Sequence, residues 1–213
     1  MNEDYRKIEL IMALRNQGIR DRKILEAIER TPREMFLGQP FQPMAYADQA
    51  LPIACGQTIS QPFVVALMTD RLKLDDRCKV LEVGTGSGYQ AAILSPLCRR
   101  VYTIERYRTL ALEAGERFKA LGLHNVTQMV GDGIKGWPSQ APFDRIIVTA
   151  AAKEVPPALA GQLAIGGIMI IPLEDAPMSQ ELVRIIRTEK GFTREDLLPV
   201  RFVPLVEGIA RES

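Results

Sequence analysis

The stretch VLEVGTGSGYQAA, residues 80–92, most narrows what this chain can fold into. A β-branched apolar run enters three glycines and leaves through alanines, which reads as a strand, a tight turn and a helix start. A strand that feeds a helix so directly belongs to a sheet of parallel strands joined by crossover helices. The sequence downstream agrees. KVLEVG, RRVYTIE, NVTQMVG, FDRIIVTAA and GGIMIIPL are short β-rich runs, with helices expected near 90–98, 107–121 and 155–164, and DGIKGWPSQAP reads as irregular. Unbroken apolar runs such as IIVTAA and IMIIP suit strands covered on both faces. After them ELVRIIRT and PVRFVPLV have no crossover helix between them and are expected as an antiparallel pair at the sheet edge. The predicted fold is α/β, a doubly wound, mostly parallel seven-stranded sheet of Rossmann-like type.

Before residue 76 the pattern is different. Leu10, Ile11 and Leu14, then Ile24, Leu25 and Ile28, recur at helical spacing, parted by Gly18 and closed by Thr31-Pro32. Two short helices with basic outer faces resemble a DNA-binding helix-turn-helix. Yet 27 Lys+Arg against 26 Asp+Glu leave no net field to hold nucleic acid, which favours a helical cap on the main domain. Residues 38–62 are proline-rich with little periodicity; their apolar residues Phe41, Met44, Tyr46, Leu51 and Ile53 predict an ordered, functional loop. One domain over 1–213 is expected, with cap and loop in 1–75 and the sheet core in 76–213.

No run of eighteen apolar residues exists and MNEDYRKIEL is too polar for a signal peptide, so a cytoplasmic protein without a membrane partner is expected. Cys55, Cys78 and Cys98, with His124 as the sole histidine, fit neither a disulfide framework nor a zinc site and are read as reduced thiols. His124 follows Gly122 at an expected helix end and reads as a solvated cap residue. Cys55 has no base near it in sequence to make it a nucleophile.

In sheets of this kind the ligand sits beyond the carboxyl ends of the strands, beside the first strand-to-helix turn. A dinucleotide fingerprint requires G-x-G-x-x-G; here Gly84, Gly86 and Gly88 give G-x-G-x-G, with Tyr89 where the third glycine should allow close helix packing. The acids carry more information. Glu105 closes the second strand, 21 residues after Gly84, where a carboxylate can accept both hydroxyls of a ribose. With Glu82 and Asp132 at neighbouring strand ends it predicts an electronegative rim, suited to S-adenosylmethionine with its sulfonium, ammonium, ribose diol and adenine amine. Helix capping by these acids is the alternative reading.

EVGTGSGYQAA, VYTIER, GDG, FDRIIVTAA and GGIMIIPL together resemble the class I S-adenosylmethionine-dependent methyltransferases. PREMF at 32–36, LPIACGQTISQP at 51–62, GDGIKGW at 131–137 and RFVPLV at 201–206 narrow the resemblance to the protein-L-isoaspartate O-methyltransferases, with GQTIS its most specific element. The resemblance implies Ser60 as the active-site residue, with Gln57, Thr58 and Val203 beside it at the substrate. It implies a cofactor site, for S-adenosyl-L-methionine and its product S-adenosyl-L-homocysteine without a metal, made by Ile59, Glu82, Gly84, Thr85, Gly86, Ser87, Gly88, Gln90, Glu105, Arg106, Asp132, Gly133 and Thr149. Residues 1–75 then hold the cap and substrate loop, and 76–213 the cofactor-binding core.

Read from the residues alone, Ser60-Gln61-Pro62 is a helix start with Ser60 as N-cap and Val64, Leu67 and Met68 on the buried face. A helix N-terminus with a hydroxyl is also a carboxylate site, so both readings stand together. The substrate implied by the resemblance is the L-isoaspartyl residue of damaged peptides and proteins, whose methyl ester reverts through a succinimide. A monomer with no nucleic-acid partner is expected, gripping peptide backbone along an exposed strand edge at Arg201-Phe202-Val203. The competing readings are a related methyltransferase acting on a small-molecule carboxylate or other acceptor, an NAD-dependent oxidoreductase, and a non-catalytic peptide-binding module of the same fold.

Overall fold

In the computed structural model, which describes residues 3–176 and 179–212, helices α1 (Glu3–Asn16) and α2 (Arg22–Arg30) form the N-terminal cap. Asp21 starts α2 by accepting the N–H groups of Lys23 (2.8 Å) and Ile24 (3.4 Å). Two 3-10 turns, Arg33–Phe36 and Gln39–Met44, lead into β1 (Leu51–Pro52), which pairs antiparallel with β2 (Thr58–Ile59). The proline-rich stretch is thus ordered. Its small hairpin, with a turn at Ala54–Gly56, delivers residues 57–60 to α3 (Pro62–Leu72).

The N-cap of α3 is Gln61, not Ser60. The capping oxygen comes from elsewhere in the chain: Asp48 Oδ1 accepts the Phe63 N–H at 2.8 Å, and Asp48 Oδ2 accepts Gln61 Nε2 at 3.2 Å. With that donor already satisfied, the Ser60 hydroxyl has no capping role. Leu67 and Met68 are buried as expected, together with Val65 and Leu72, while Val64 is half-buried.

The main sheet has seven strands: β3 (Lys79–Val83), β4 (Arg100–Glu105), β5 (Val126–Val130), β6 (Phe143–Val148), β7 (Leu163–Ala176), β8 (Ser179–Thr188) and β9 (Gly191–Val200). Their order is β5-β4-β3-β6-β7-β8-β9. The first five in this order are parallel, and β8 and β9 add antiparallel edge pairs. Helices α4 (Tyr89–Leu94), α5 (Arg108–Ala120) and α6 (Pro157–Gln162) connect the parallel strands, with short 3-10 turns between β5 and β6.

Strand alternation splits the core into two layers. On one face Val80, Val101, Ile147, Ile170 and Leu182 pack with Leu14, Ile28 and Met68 of the cap and Ile93 of α4. On the other, Leu81, Val83, Ile104, Ile146 and Met169 pack under Leu159 of α6 and Trp137. No helix among the described residues is long and apolar enough to cross a membrane.

The last strand differs from expectation. It is the polar GFTREDLLPV that pairs with β8, through a tight turn ending at Gly191 (φ +135°), while residues 201–206 leave the sheet. An edge strand exposed along most of its length has no apolar pattern to betray it. Its surface is charged: Arg194 bonds Asp196 (2.6 Å) and Asp175 (3.1 Å), and Arg184 meets Glu195 at 3.2 Å. The apolar RFVPLV instead returns to the middle of the sheet, where Ala151 N–H donates to Val203 O (2.8 Å) and Leu205 N–H donates to Ala151 O (2.7 Å). Arg201-Phe202-Val203 is therefore not a sheet-edge strand.

Candidate active site

The carboxyl ends of β3, β4 and β6 open into a cleft roofed by the β1–β2 hairpin and by residues 203–206. The glycine turn forms its floor. Gly84 and Thr85 donate their N–H groups to Ile104 O (2.9 and 3.2 Å), and Gly88 N–H closes the turn on Thr85 O (2.8 Å). Gly84 has φ +95°, and a Cβ there would meet Thr149 Oγ1 at 2.4 Å. Thr149 uses that space, its hydroxyl donating to Gly84 O at 2.6 Å, so the turn is clamped from β6.

Glu105 is 4 % exposed at the end of β4 and lines the cleft. Its Oε2 accepts Gly86 N–H at 2.8 Å and its Oε1 accepts Tyr107 N–H at 3.0 Å, which fixes the carboxylate plane and leaves lone pairs for further donors. Arg106 beside it is tied to Gly208 O (3.2 Å), holding the chain end against the cleft. Gln90 is buried and donates to Thr69 Oγ1 at 2.9 Å, linking α4 to α3 below Ser60.

The hairpin brings Gln57, Thr58, Ile59 and Ser60 to the opposite wall, with Val203 adjoining. Gln57 is set by a bond from its Nε2 to Cys55 O (3.1 Å), across a turn in which Cys55 (φ 57°) and Gly56 (φ 64°) are both left-handed. The Ser60 hydroxyl has no partner among the described residues, whereas its carbonyl accepts Arg33 Nη2 at 2.9 Å. Thr85, Ser87 and Gly133 complete the expected residues around the cleft.

Three expected cofactor residues do not line it. Glu82 lies within β3 rather than at its mouth, so the pleat sends its side chain beneath the turn, fully buried. Thr103 donates to its Oε2 at 2.5 Å, Thr103 and Thr85 hydroxyls are 2.6 Å apart, and Oε1 has no partner. Burial foremost, reinforced by the charge of Glu105 and opposed by the Thr103 bond, pushes its pKa up to about 8. A carboxyl neutral at pH 7 adds no negative charge, so the electronegative rim of three acids is corrected. Asp132 takes the capping role: Oδ1 accepts Ile134 N–H (3.0 Å) and Oδ2 faces Lys135 at 3.6 Å. Gly88 (φ +92°) serves packing, since a Cβ there would lie 2.8 Å from Phe118 of α5.

Sequence reasoning missed Arg33 and Asp48, which hold Ser60 and Phe63 from distant parts of the chain. The signal for Arg33 was its place in PREMF, a charged residue in a stretch whose Phe36 is wholly buried. His124 is exposed, and Cys55 is a poor nucleophile because burial, then Glu212 at 3.8 Å, raise its pKa.

The lining suits a nucleoside. Side-chain-free glycines admit a ligand to the backbone, Glu105 can take a ribose diol, and Ile104, Tyr107 and Leu205 offer apolar surface for a flat ring. Comparison with known proteins agrees. The family model described as protein-L-isoaspartate(D-aspartate) O-methyltransferase (PCMT) matches residues 5–210. The protein-L-isoaspartate O-methyltransferase of Parvibaculum lavamentivorans is 64% identical over 212 residues, 99% of this chain and 96% of its own. That of Paramagnetospirillum magneticum is 57% identical over 208 residues, 97% of each chain. A solved protein-L-isoaspartate O-methyltransferase superposes with TM-score 0.85 at 30% identity, covering 93% of this chain and 65% of that longer one. A Plasmodium falciparum structure in complex with S-adenosyl-L-homocysteine, described as a candidate member of the same family, gives 0.81 at 27% identity over 93% and 97%. A match that takes in the β1–β2 hairpin, the glycine turn and the returning segment at 201–206 alike means that this chain belongs to the protein-L-isoaspartate(D-aspartate) O-methyltransferase family.

Proposed function

We propose that this cleft transfers a methyl group from S-adenosylmethionine to the free carboxylate of L-isoaspartyl residues in damaged peptides and proteins, with Ser60 as the active-site residue. The observation that carries this reading is the meeting of Ser60 with the glycine turn and Glu105 in one cleft. The family match includes the GQTIS hairpin, which favours the isoaspartyl acceptor over a small-molecule carboxylate.

When bound, S-adenosylmethionine supplies an electrophilic methyl carbon, whose C–S bond breaks with its electron pair onto sulfur as the ester C–O bond forms. The acceptor needs no base, because a carboxylate of pKa about 4 is already ionised at neutral pH. What the chain must contribute is alignment and exclusion of water. Ser60 Oγ–H, free of protein partners, donates to the carboxylate oxygen that does not react. Gln57 and Thr58 shape the wall around it, and Val203, fixed through Ala151, bounds the peptide side. Glu105 and Thr149 keep the glycine turn open for the nucleoside, with Ile59, Gly84, Gly86, Ser87, Gln90, Arg106 and Gly133 around it. Glu82 and Asp132 act from behind, as a neutral support and a cap. In the product the adjacent backbone amide nitrogen attacks the ester carbonyl and gives up its proton as methanol leaves, and the succinimide so formed starts repair.

In this reading the enzyme works as a cytoplasmic monomer, and its net charge of +1 speaks against a nucleic-acid partner. The test is methylation of two peptides that differ only in an isoaspartyl or a normal aspartyl residue, using labelled S-adenosylmethionine. Label should enter the isoaspartyl peptide alone, and Ser60→Ala should lower kcat by about tenfold or more with little change in S-adenosylhomocysteine affinity. Equal labelling of both peptides, or none, rejects the reading.

A further inference from the structure

Arg33 is wholly buried, at 0 % exposure, in the turn that follows the cap helices. Among the described residues it forms no ion pair, and its Nε and Nη1 lack an acceptor in hydrogen-bond geometry, so that only the nearby Tyr89 ring and the more distant Asp48 offset its burial. A cation so placed is costly, and an apolar side chain of similar length would serve packing better. Its remaining nitrogen, Nη2, donates to Ser60 O at 2.9 Å and reaches Gln49 O at 3.4 Å. The guanidinium stacks 4.7 Å over the ring of Tyr89, the first residue of α4 after the glycine turn, and Phe36 meets the same ring edge-on at 5.3 Å.

We propose that Arg33 is a positioning residue: by binding the Ser60 carbonyl while seated on Tyr89, it sets the direction of the Ser60 hydroxyl relative to the glycine turn. This rests on the assignment of Ser60 above. Three residues beyond Ser60, the Phe63 N–H is fixed by Asp48 at 2.8 Å, and Pro62 between them has a restricted φ. Ser60 is therefore held from both sides. The Arg33 tether joins the Ser60 carbonyl directly to Tyr89 at the start of α4, whereas Asp48 belongs to the loop before β1 and the Gln90–Thr69 bond joins α4 to α3 farther along the helix.

Arg33→Met removes the donor and keeps the apolar bulk; Arg33→Lys keeps one donor. Phe143→Leu, at the opposite end of the sheet, serves as a control for simple loss of core packing. Four quantities are compared across these variants: kcat for the isoaspartyl peptide, S-adenosylhomocysteine affinity, melting temperature, and amide exchange over residues 57–61. Arg33→Met should lower kcat at least about tenfold and speed exchange at 57–61 while its melting temperature holds or rises. S-adenosylhomocysteine affinity should stay within about threefold, and Arg33→Lys should recover part of kcat. Phe143→Leu should melt earlier with little change in either loop exchange or kcat. Unaltered kcat and exchange in Arg33→Met overturns the proposal, as does a loss of activity that simply follows melting temperature in all three variants. If wild-type protein itself does not label the isoaspartyl peptide, the assignment of Ser60 fails, and exchange at 57–61 still decides whether Arg33 holds the loop.

Discussion

Glu82 and Glu105 sit on neighbouring strands in opposite surroundings. Glu105 receives two backbone N–H groups at the cleft, whereas Glu82 has one threonine hydroxyl and one unpartnered oxygen under it. In the folded chain Glu82 keeps its proton up to about pH 8; unfolded, it releases it near 4.5. Its contribution to stability is therefore full below 4.5 and is lost as pH rises towards 8, with a slope of at most about 1.4 kcal/mol per pH unit. Glu82→Gln, which mimics the neutral acid, should flatten that slope. Thermal melts from pH 5 to 8 should coincide at the acid end and favour the variant at the alkaline end; parallel curves would refute the assignment. The sequence showed an acid two residues before a glycine turn. The run KVLEVG already placed that acid inside the strand, but it could not show which face of the pleat turns beneath the glycine turn. Ser60 was legible as a helix-start residue for the wrong reason, since its capping partner was supplied by Asp48, far off along the chain.

At the scale of elements, the glycine turn is specified by backbone geometry more than by ligand contact. Gly84 combines φ +95° with the Thr149 clamp, while a Cβ on Gly86, at φ +53°, would meet only Ile53 Cδ1 at 3.8 Å. Alanine at either carries left-handed strain of about 1–3 kcal/mol, and Gly84→Ala must also displace a threonine hydroxyl. Denaturant unfolding should rank Gly84→Ala as the less stable of the two; the reverse order would show that the clamp is soft. The parallel strands and their helices were readable because burial on both faces writes them as apolar runs. The edge strand β9 was not, because solvent leaves its pattern free, while of the apolar residues that imitated a strand 203–206 line the cleft and Phe202 packs against the core.

Across the whole molecule, the change of architecture at residue 75 does not interrupt the core. Leu10, Leu14, Ile28 and Met68 share one continuous core with Val80, Ile147, Ile170 and Leu182. We therefore propose a single folding unit. Calorimetry should record one transition with equal calorimetric and van't Hoff enthalpies, and a separate transition for the cap would disprove this. Ser60 gains its place through that unity, since its tethers come from Arg33 and Asp48 in the segment between cap and hairpin and its cleft from the sheet.

The charged border of β9 has a further meaning for a protein that handles damaged chains. Locally unfolded polypeptide offers open strands seeking a partner, and a bare apolar margin would recruit them indiscriminately. Arg194, Glu195 and Asp196, paired with Asp175 and Arg184, make that margin inhospitable to an apolar strand.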